Sequence, residues 1–187
     1  MGLLDTQRLS GEYASLSPEF RCLIMSVARR LGKITENTVG LVLRTPGRPV
    51  HPRDGRLIMP VGCPEEKIYV ITEGRSYVLG KSGSTMLPLV TLHRKDVFGS
   101  LPFPDLGHEP GHAAVVGSAD LEVEKLDPDP LKKEYETLFS TFRNLLDDLG
   151  NCVSQTTRMA YRFSSGTPAG DPESPEESVA QGPRRGR

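Results

Sequence analysis

Apolar and polar positions alternate along this chain with a helical, then a strand-like, then again a helical period, and the changes of period divide it. Ser17-Pro18-Glu19 reads as an N-cap, a first-turn proline and an early acid. Phe20, Leu23, Ile24, Val27, Ala28 and Leu31 then recur at helical spacing up to Gly32, which predicts a short amphipathic helix with a core-facing stripe. From Val39 the pattern becomes strand-like. Segments Leu41–Thr45, Leu57–Met59, Ile68–Thr72, Ser76–Leu79, Leu87–Leu92, Ala113–Val116 and Leu121–Leu126 are separated by breakers such as Pro46-Gly47, the run from Pro60 to Pro64, and Glu73-Gly74. Short strands at close spacing, with no long helix between them, predict an antiparallel barrel or roll.

The period returns to helical from Leu131 to Phe163. Tyr135, Leu138, Phe142, Leu145, Leu149, Cys152, Thr156, Met159 and Phe163 step by three and four, as in the seam of a coiled coil. Phe139, Leu146 and Val153 widen that stripe. A helix of this length spans about 45 Å, more than one small roll covers, which predicts dimerisation through Leu138, Phe142, Leu145, Leu149 and Met159. The same stripe would also serve a helix folded wholly onto its own domain. Gly150 is a candidate bend. Beyond Phe163 the composition is Ser, Gly, Pro, Glu and Arg, too poor in large apolar side chains to offset its ordering entropy. The expected organisation is a helical segment over 1–38, a roll over 39–130, a dimer helix over 131–163 and a disordered tail over 164–187.

Composition narrows the function classes more than it selects one. The 187 residues carry 23 basic and 24 acidic side chains and 36% hydrophobic residues. That suits one core and exerts no overall pull on nucleic acid or an anionic membrane. Cys22, Cys63 and Cys152 are far apart and form no CxxC pair, which argues against a disulfide framework or thiolate metal site and fits a reducing cytoplasm. No apolar run is long enough to span a bilayer. Walker, GxSxG and dinucleotide fingerprints are absent, so no enzyme is indicated.

One motif looks chemical and is declined. His108-Glu109-Pro110-Gly111-His112 spells HExxH, which holds zinc when both imidazoles lie one turn apart on a helix. Pro110-Gly111 inside it excludes that helix. A loop metal site from His108, Glu109 and His112, as in a cupin-like metal-binding protein, is the alternative reading, although cupins use an HxH pair that this chain lacks.

Leu57-Ile58-Met59-Pro60-Val61-Gly62, followed by the run from Ile68 to Arg75, resembles the first half of the cyclic-nucleotide-binding domain of the catabolite activator proteins. The run from Leu92 to Leu101 resembles the approach to that family's phosphate-binding cassette. Ala113–Val116 and Leu121–Leu126 resemble its closing hairpin, and the helix from Leu131 its dimer helix. The resemblance implies a β-roll of jelly-roll or cupin-like kind, a cyclic nucleotide as ligand class, a homodimer, a protein partner and a cytoplasmic regulatory role. It also implies a site at Phe98, Gly99, Ser100, Leu101, Gly111, His112 and Ala113. In the family cassette a short helix starting at Phe-Gly-Glu aims backbone N–H groups at the cyclic phosphate, arginine adds a charge, and glutamate accepts from the ribose.

Here Ser100 stands at the glutamate position and Gly111 at the arginine position. Pro102 removes one backbone donor, and His108 and His112 would replace the guanidinium only weakly at neutral pH. Each lost charged partner costs about 1.5–3 kcal/mol. The resemblance includes no helix-turn-helix after Phe163, so direct DNA binding is not expected. The sequence therefore predicts a non-catalytic regulatory module, either sensing an atypical or weakly bound nucleotide or serving as a ligand-free interaction scaffold.

Overall fold

Ser17 starts the longest N-terminal helix as its sequence predicts: its Oγ accepts the Phe20 N–H at 3.1 Å, with Pro18 in the first turn. The computed structural model describes residues 6–43, 55–63, 67–82, 85–101 and 113–164. In chain order the elements are α1 (Thr6–Ser15), α2 (Pro18–Val42), β1 (Arg56–Met59), β2 (Ile68–Glu73), β3 (Ser76–Ser82), β4 (Thr85–Leu92), β5 (Val97–Gly99), β6 (Ala113–Gly117), β7 (Glu122–Leu126), α3 (Pro128–Thr137) and α4 (Ser140–Ser164).

Two expectations about α2 are corrected. The helix does not stop at Gly32, and Leu41 and Val42, expected in a strand, form its last turn. Residues 44 and 45 of that expected strand lie outside the described residues. Phe20, Leu23, Val27, Ile34 and Thr38 keep one buried stripe on both sides of Gly32. Gly32 itself stands on an open face, with nothing within 4 Å of where a Cβ would lie. Its propensity cost of about 1 kcal/mol is smaller than what burying that stripe contributes.

The remaining predicted strands form two antiparallel sheets, in the orders β1-β6-β3-β4 and β5-β2-β7. β6 is central, placing Val115 beside both Met59 and Val78. Irregularities at Leu57/Met59, Ile71/Glu73 and Val78/Leu79 curl the sheets into a roll, as bulges do. Met59, Ile68, Ile71, Val78, Leu89, Leu92, Phe98 and Val115 fill its inside. β5 was not legible as a strand; it is three residues long and, among the described residues, pairs only with β2.

The single C-terminal helix expected over 131–163 is two helices. Asp127 caps α3 by accepting the Asp129 N–H at 3.1 Å. Leu138 then turns extended (φ −61°, ψ 145°) and sinks into the core. Arg143 holds the break by donating to the carbonyls of Glu136 (2.7 Å) and Leu138 (3.1 Å). Glu12 of α1 accepts the Phe139 N–H at 2.7 Å, and Glu134 of α3 accepts the Ser17 N–H and Oγ–H, both at 2.6 Å. Each carboxylate thus tends the start of another helix, where free N–H groups and the dipole favour an anion.

α4 buries Phe142, Leu146, Gly150, Val153, Thr157 and Ala160 within its own domain, running unbroken through Gly150. The expected seam is therefore corrected in part. Leu138 and Phe142 are core residues, as are Leu146 and Val153, whereas Leu145 (52% exposed) and Met159 (48%) face outward and Leu149 is half-buried. In β3, Gly80 leaves room for the Tyr161 ring, which a Cβ there would overlap. α2 and α4 run in the same direction: Ser17 lies at α3, next to the start of α4, and Thr38 reaches the Thr156 carbonyl at 3.5 Å.

Candidate functional site

β4 leads into β5 through a tight turn, His93–Asp96, directly before the expected cassette. The Asp96 N–H donates to the His93 carbonyl at 2.8 Å, and Asp96 Oδ2 accepts the His93 N–H at 2.9 Å. Lys95 adopts a positive φ of 67° and donates its N–H to the Ile71 carbonyl at 2.8 Å. The Ile71 N–H returns a bond to the Asp96 carbonyl at 3.0 Å, so the turn is tied to β2.

α2 lies across this turn and grips it with polar side chains. Among the described residues β5 has no strand on its outer edge, which would leave Val97 with unpaired backbone groups. Ser26 Oγ accepts the Val97 N–H at 2.8 Å, and Arg30 Nη2 donates to the Val97 carbonyl at 2.6 Å. Arg29 Nε donates to Asp96 Oδ1 at 2.9 Å while its Nη2 reaches the Lys95 carbonyl at 2.9 Å. Lys33 Nζ donates to the Thr91 carbonyl (2.9 Å) and Asp96 Oδ2 (3.3 Å). Farther along, Asn37 donates to the Leu89 carbonyl at 2.6 Å. One face of α2 thus takes the place of a neighbouring strand.

Charge within this clasp is set by packing. Burial pushes the Asp96 carboxyl up, but the His93 N–H, Arg29 and Lys33 together outweigh it and hold the pKa below the ordinary value. Burial and then the Lys33 ammonium push His93 below its ordinary value. Lys33 Nζ lies 3.1 Å from His93 Nδ1. An ammonium has only donors, so Nδ1 is the acceptor and the imidazole is neutral. Burial also raises the Cys22 thiol, which donates to the Lys95 carbonyl at 3.2 Å and is not an activated nucleophile.

Both shifts have the same sign for stability. A depressed folded-state pKa means that the unfolded chain binds the proton more readily, so stability is lost as pH falls. The urea midpoint is expected to drop in two stages, first below about pH 6.5 as His93 protonates and then below about pH 4 as Asp96 does. His93→Gln should remove the first stage and leave the second. A midpoint that is flat from pH 7 to 5 in the native chain, or a first stage that survives His93→Gln, would count against this account.

The expected site residues separate under this geometry. Phe98 is fully buried and stacks on Tyr69 with ring centroids 5.3 Å apart, and Ala113 is fully buried in β6. Gly99 takes φ +117°, with the Lys67 carbonyl oxygen where a Cβ would stand. The Ser100 N–H donates to that carbonyl at 3.0 Å, so it is not aimed at a ligand as the cassette helix would require. Leu101 is half-buried against the core. Gly111 and His112, with His108, Glu109 and Pro102, lie outside the described residues. Among the described residues no cluster of three His, Cys, Asp or Glu could hold a metal ion. No described helix is long and apolar enough to cross a membrane.

Sequence reading missed the clasp, although a signal existed. Ser26 and Arg30 stand at the same helical spacing as Leu23, Val27 and Ile34, and a buried arginine inside an apolar stripe calls for a specific acceptor. A groove of about 400 Å³ was also not foreseen. It lies between α1 and the α3–α4 junction, where the Arg8 guanidinium sits 3.8 Å from the centre of the Phe139 ring. Its carboxylates, Glu12 and Glu134, serve the helix starts described above.

No family model matches the chain, and no curated protein matches it. Some solved structures are similar in fold over about half of it. The cGMP-bound form of the EAL enzyme Bd1971 is 18% identical over 57% of this chain and 28% of its own, with a TM-score of 0.45. The reduced CO-sensing protein from R. rubrum is 20% identical over 59% and 49%, at 0.41. The regulatory domain of Toxoplasma gondii PKA with cAMP is 22% identical over 52% and 36%, at 0.39. Each match takes in less than half of the other protein, and similarity at this level says nothing of ligand or activity. By its own element order and strand pairing the chain is an antiparallel β-roll, with sheets of four and three strands between N-terminal helices and a C-terminal helical pair.

Proposed function

We propose that this chain is a non-catalytic regulatory module of the cyclic-nucleotide-binding type, in which the roll communicates with the α2–α4 layer and ordinary cyclic nucleotides bind weakly or not at all. The clasp carries this reading. Asp96 and Val97 are held by α2 immediately before Phe98–Leu101, so whatever displaces that segment pulls on α2. α2 shares a buried face with α4, and a displaced α2 shifts the population of arrangements α4 presents to a partner. The output then passes through protein contacts.

Weak nucleotide binding follows from the residues present. Ser100 is too short to take the glutamate's place directly, its N–H is already used, and Gly111 supplies no cation. Two missing charge-assisted partners cost about 1.5–3 kcal/mol each, together about a hundredfold or more in affinity. Calorimetric titration with cAMP and cGMP is the test. The native chain is expected to show no saturable heat at tens of micromolar (about that range, given the lost partners), and Ser100→Glu/Gly111→Arg is expected to gain binding. Micromolar binding by the native chain would overturn the weak-binding reading. A double variant that also fails to bind would remove the sensing version and leave the ligand-free scaffold.

A further inference from the structure

α1 is secured by little of its own. It has ten residues with Gly11 among them, and neither an acid in its first turn nor a base in its last complements its dipole. A helix this short does not hold its shape alone in water, so α1 is helical because it is docked. Leu9 and Tyr13 pack against the core, and two further side chains grip one residue at the start of α4. Glu12 Oε1 accepts the Phe139 N–H at 2.7 Å, and the Arg8 guanidinium sits 3.8 Å from the centre of the Phe139 ring.

This seat is incompletely filled. The groove of about 400 Å³ runs along it, lined also by Ser15, Glu134, Thr137 and Leu138, and Phe139 remains 52% exposed. Glu12 Oε2 is buried and has no hydrogen-bond partner. A carboxylate oxygen taken out of water without a donor opposes the docked state, so docking and release are closely balanced.

We propose that α1 is a detachable strap, the resident occupant of a docking site for a short helix of a partner protein that carries a basic residue one turn before an acid, as Arg8 and Glu12 stand in α1. The proposal rests on the reading of the helical layer as the output of the roll and names the surface a partner takes. The chemistry of the seat fixes the kind of occupant. The Phe139 N–H stands just before the 25-residue α4, where free donors and the dipole favour a carboxylate. The ring beside it takes a cation. A phosphate or an anionic lipid headgroup would meet the donor and leave the ring unmatched, whereas a helix with acid and base one turn apart meets both.

Hydrogen exchange on the native full chain tests the strap. The amides of Glu12, Tyr13 and Phe139 are expected to open together, with protection about 30-fold or more below that of Val27 and Ile34 in α2. Equal protection in α1 and α2 overturns it. The docking site is tested with a fluorescein-labelled peptide of residues 6–16, titrated by anisotropy onto full-length Glu12→Lys, which reverses the charge at the Phe139 N–H and should leave α1 undocked. A tethered effective concentration of a few millimolar, divided by about 30, gives an expected Kd on the order of 100 µM. The native chain, with its strap in place, should bind the peptide about 30-fold more weakly, and a peptide carrying Glu12→Lys should not bind. Equal affinity for the two chains, or no binding to the undocked one, overturns the docking site. Arg8→Ala takes the same titration if Glu12→Lys does not fold. Exchange at the Val97 N–H, inside the clasp, is read in the same experiment and judges the regulatory reading separately.

Discussion

Replacing Gly99 with alanine is expected to destabilise the fold by about 3 kcal/mol or more, read as a fall in the urea midpoint by far-UV circular dichroism. Two costs combine. A φ of +117° is one that L side chains rarely adopt, and the new Cβ would overlap the Lys67 carbonyl oxygen. That oxygen belongs to the backbone beside β2 and accepts the Ser100 N–H, so it cannot rotate aside as a side chain would. Relief requires β5 to move away from β2, which also pulls Phe98 off Tyr69. A loss of this size is a large share of the roughly 5–15 kcal/mol that holds a domain together. Gly62→Ala is the control. Gly62 also has positive φ (+75°), but nothing lies within 4 Å of its would-be Cβ, so only the backbone term of about 1–2 kcal/mol applies. If the two substitutions cost the same, the close approach at Lys67 is not what requires glycine.

Asp96→Ala is expected to cost about 2–3 kcal/mol and to release α2 from the turn. The carboxylate is buried and accepts from Arg29, Lys33 and the His93 N–H together. Its partners are less confined, with Arg29 and Lys33 side chains 39% and 30% exposed, so water repays part of what they lose. That keeps the figure below the 3–5 kcal/mol or so of a fully buried broken pair. Asp96→Asn keeps the shape but removes the charge and turns an amide N–H₂ toward a cation, and it should cost nearly as much. Arg29→Ala, on the partly exposed side, should cost about 1 kcal/mol or less. Hydrogen exchange at the Val97 N–H, which donates to Ser26, reports the clasp directly and should accelerate in Asp96→Ala well before global unfolding. Unchanged exchange there would mean that Ser26 and Arg30 hold β5 without Asp96, and the coupling proposed between cassette and helix would lose its first link.

Much of the roll was readable because its signals are local. Alternation over four to eight residues, with Gly62 and Gly74 at the turns, identified the strands from β1 to β7 except β5 to within a few residues. β5 escaped because three residues make no pattern. Its backbone is extended only through pairing with Ile68–Val70 and support from α2. Of the candidate site, Gly99 stands where glycine is structurally required, by its positive φ and its close approach to the Lys67 carbonyl.

By itself the sequence determined where α2 begins, most of the strands and which residues seek burial, since capping, turn chemistry and periodicity act within a few residues of chain; α1, the start of α4 and β5 were not read from it. Only the tertiary structure decided what that burial is against. α2 runs past Gly32 because its stripe continues onto the domain, and the C-terminal helix breaks at Leu138 because that side chain gains more from the core than from one more helical turn. The α4 stripes look alike in sequence, yet one packs within the domain and the other faces outward. The partners of Ser26, Arg29 and Arg30 come from residues 66 to 71 positions farther along the chain. Periodicity carries no information over that separation, because long-range pairing is set by the shape of the whole roll and not by the order of its neighbours.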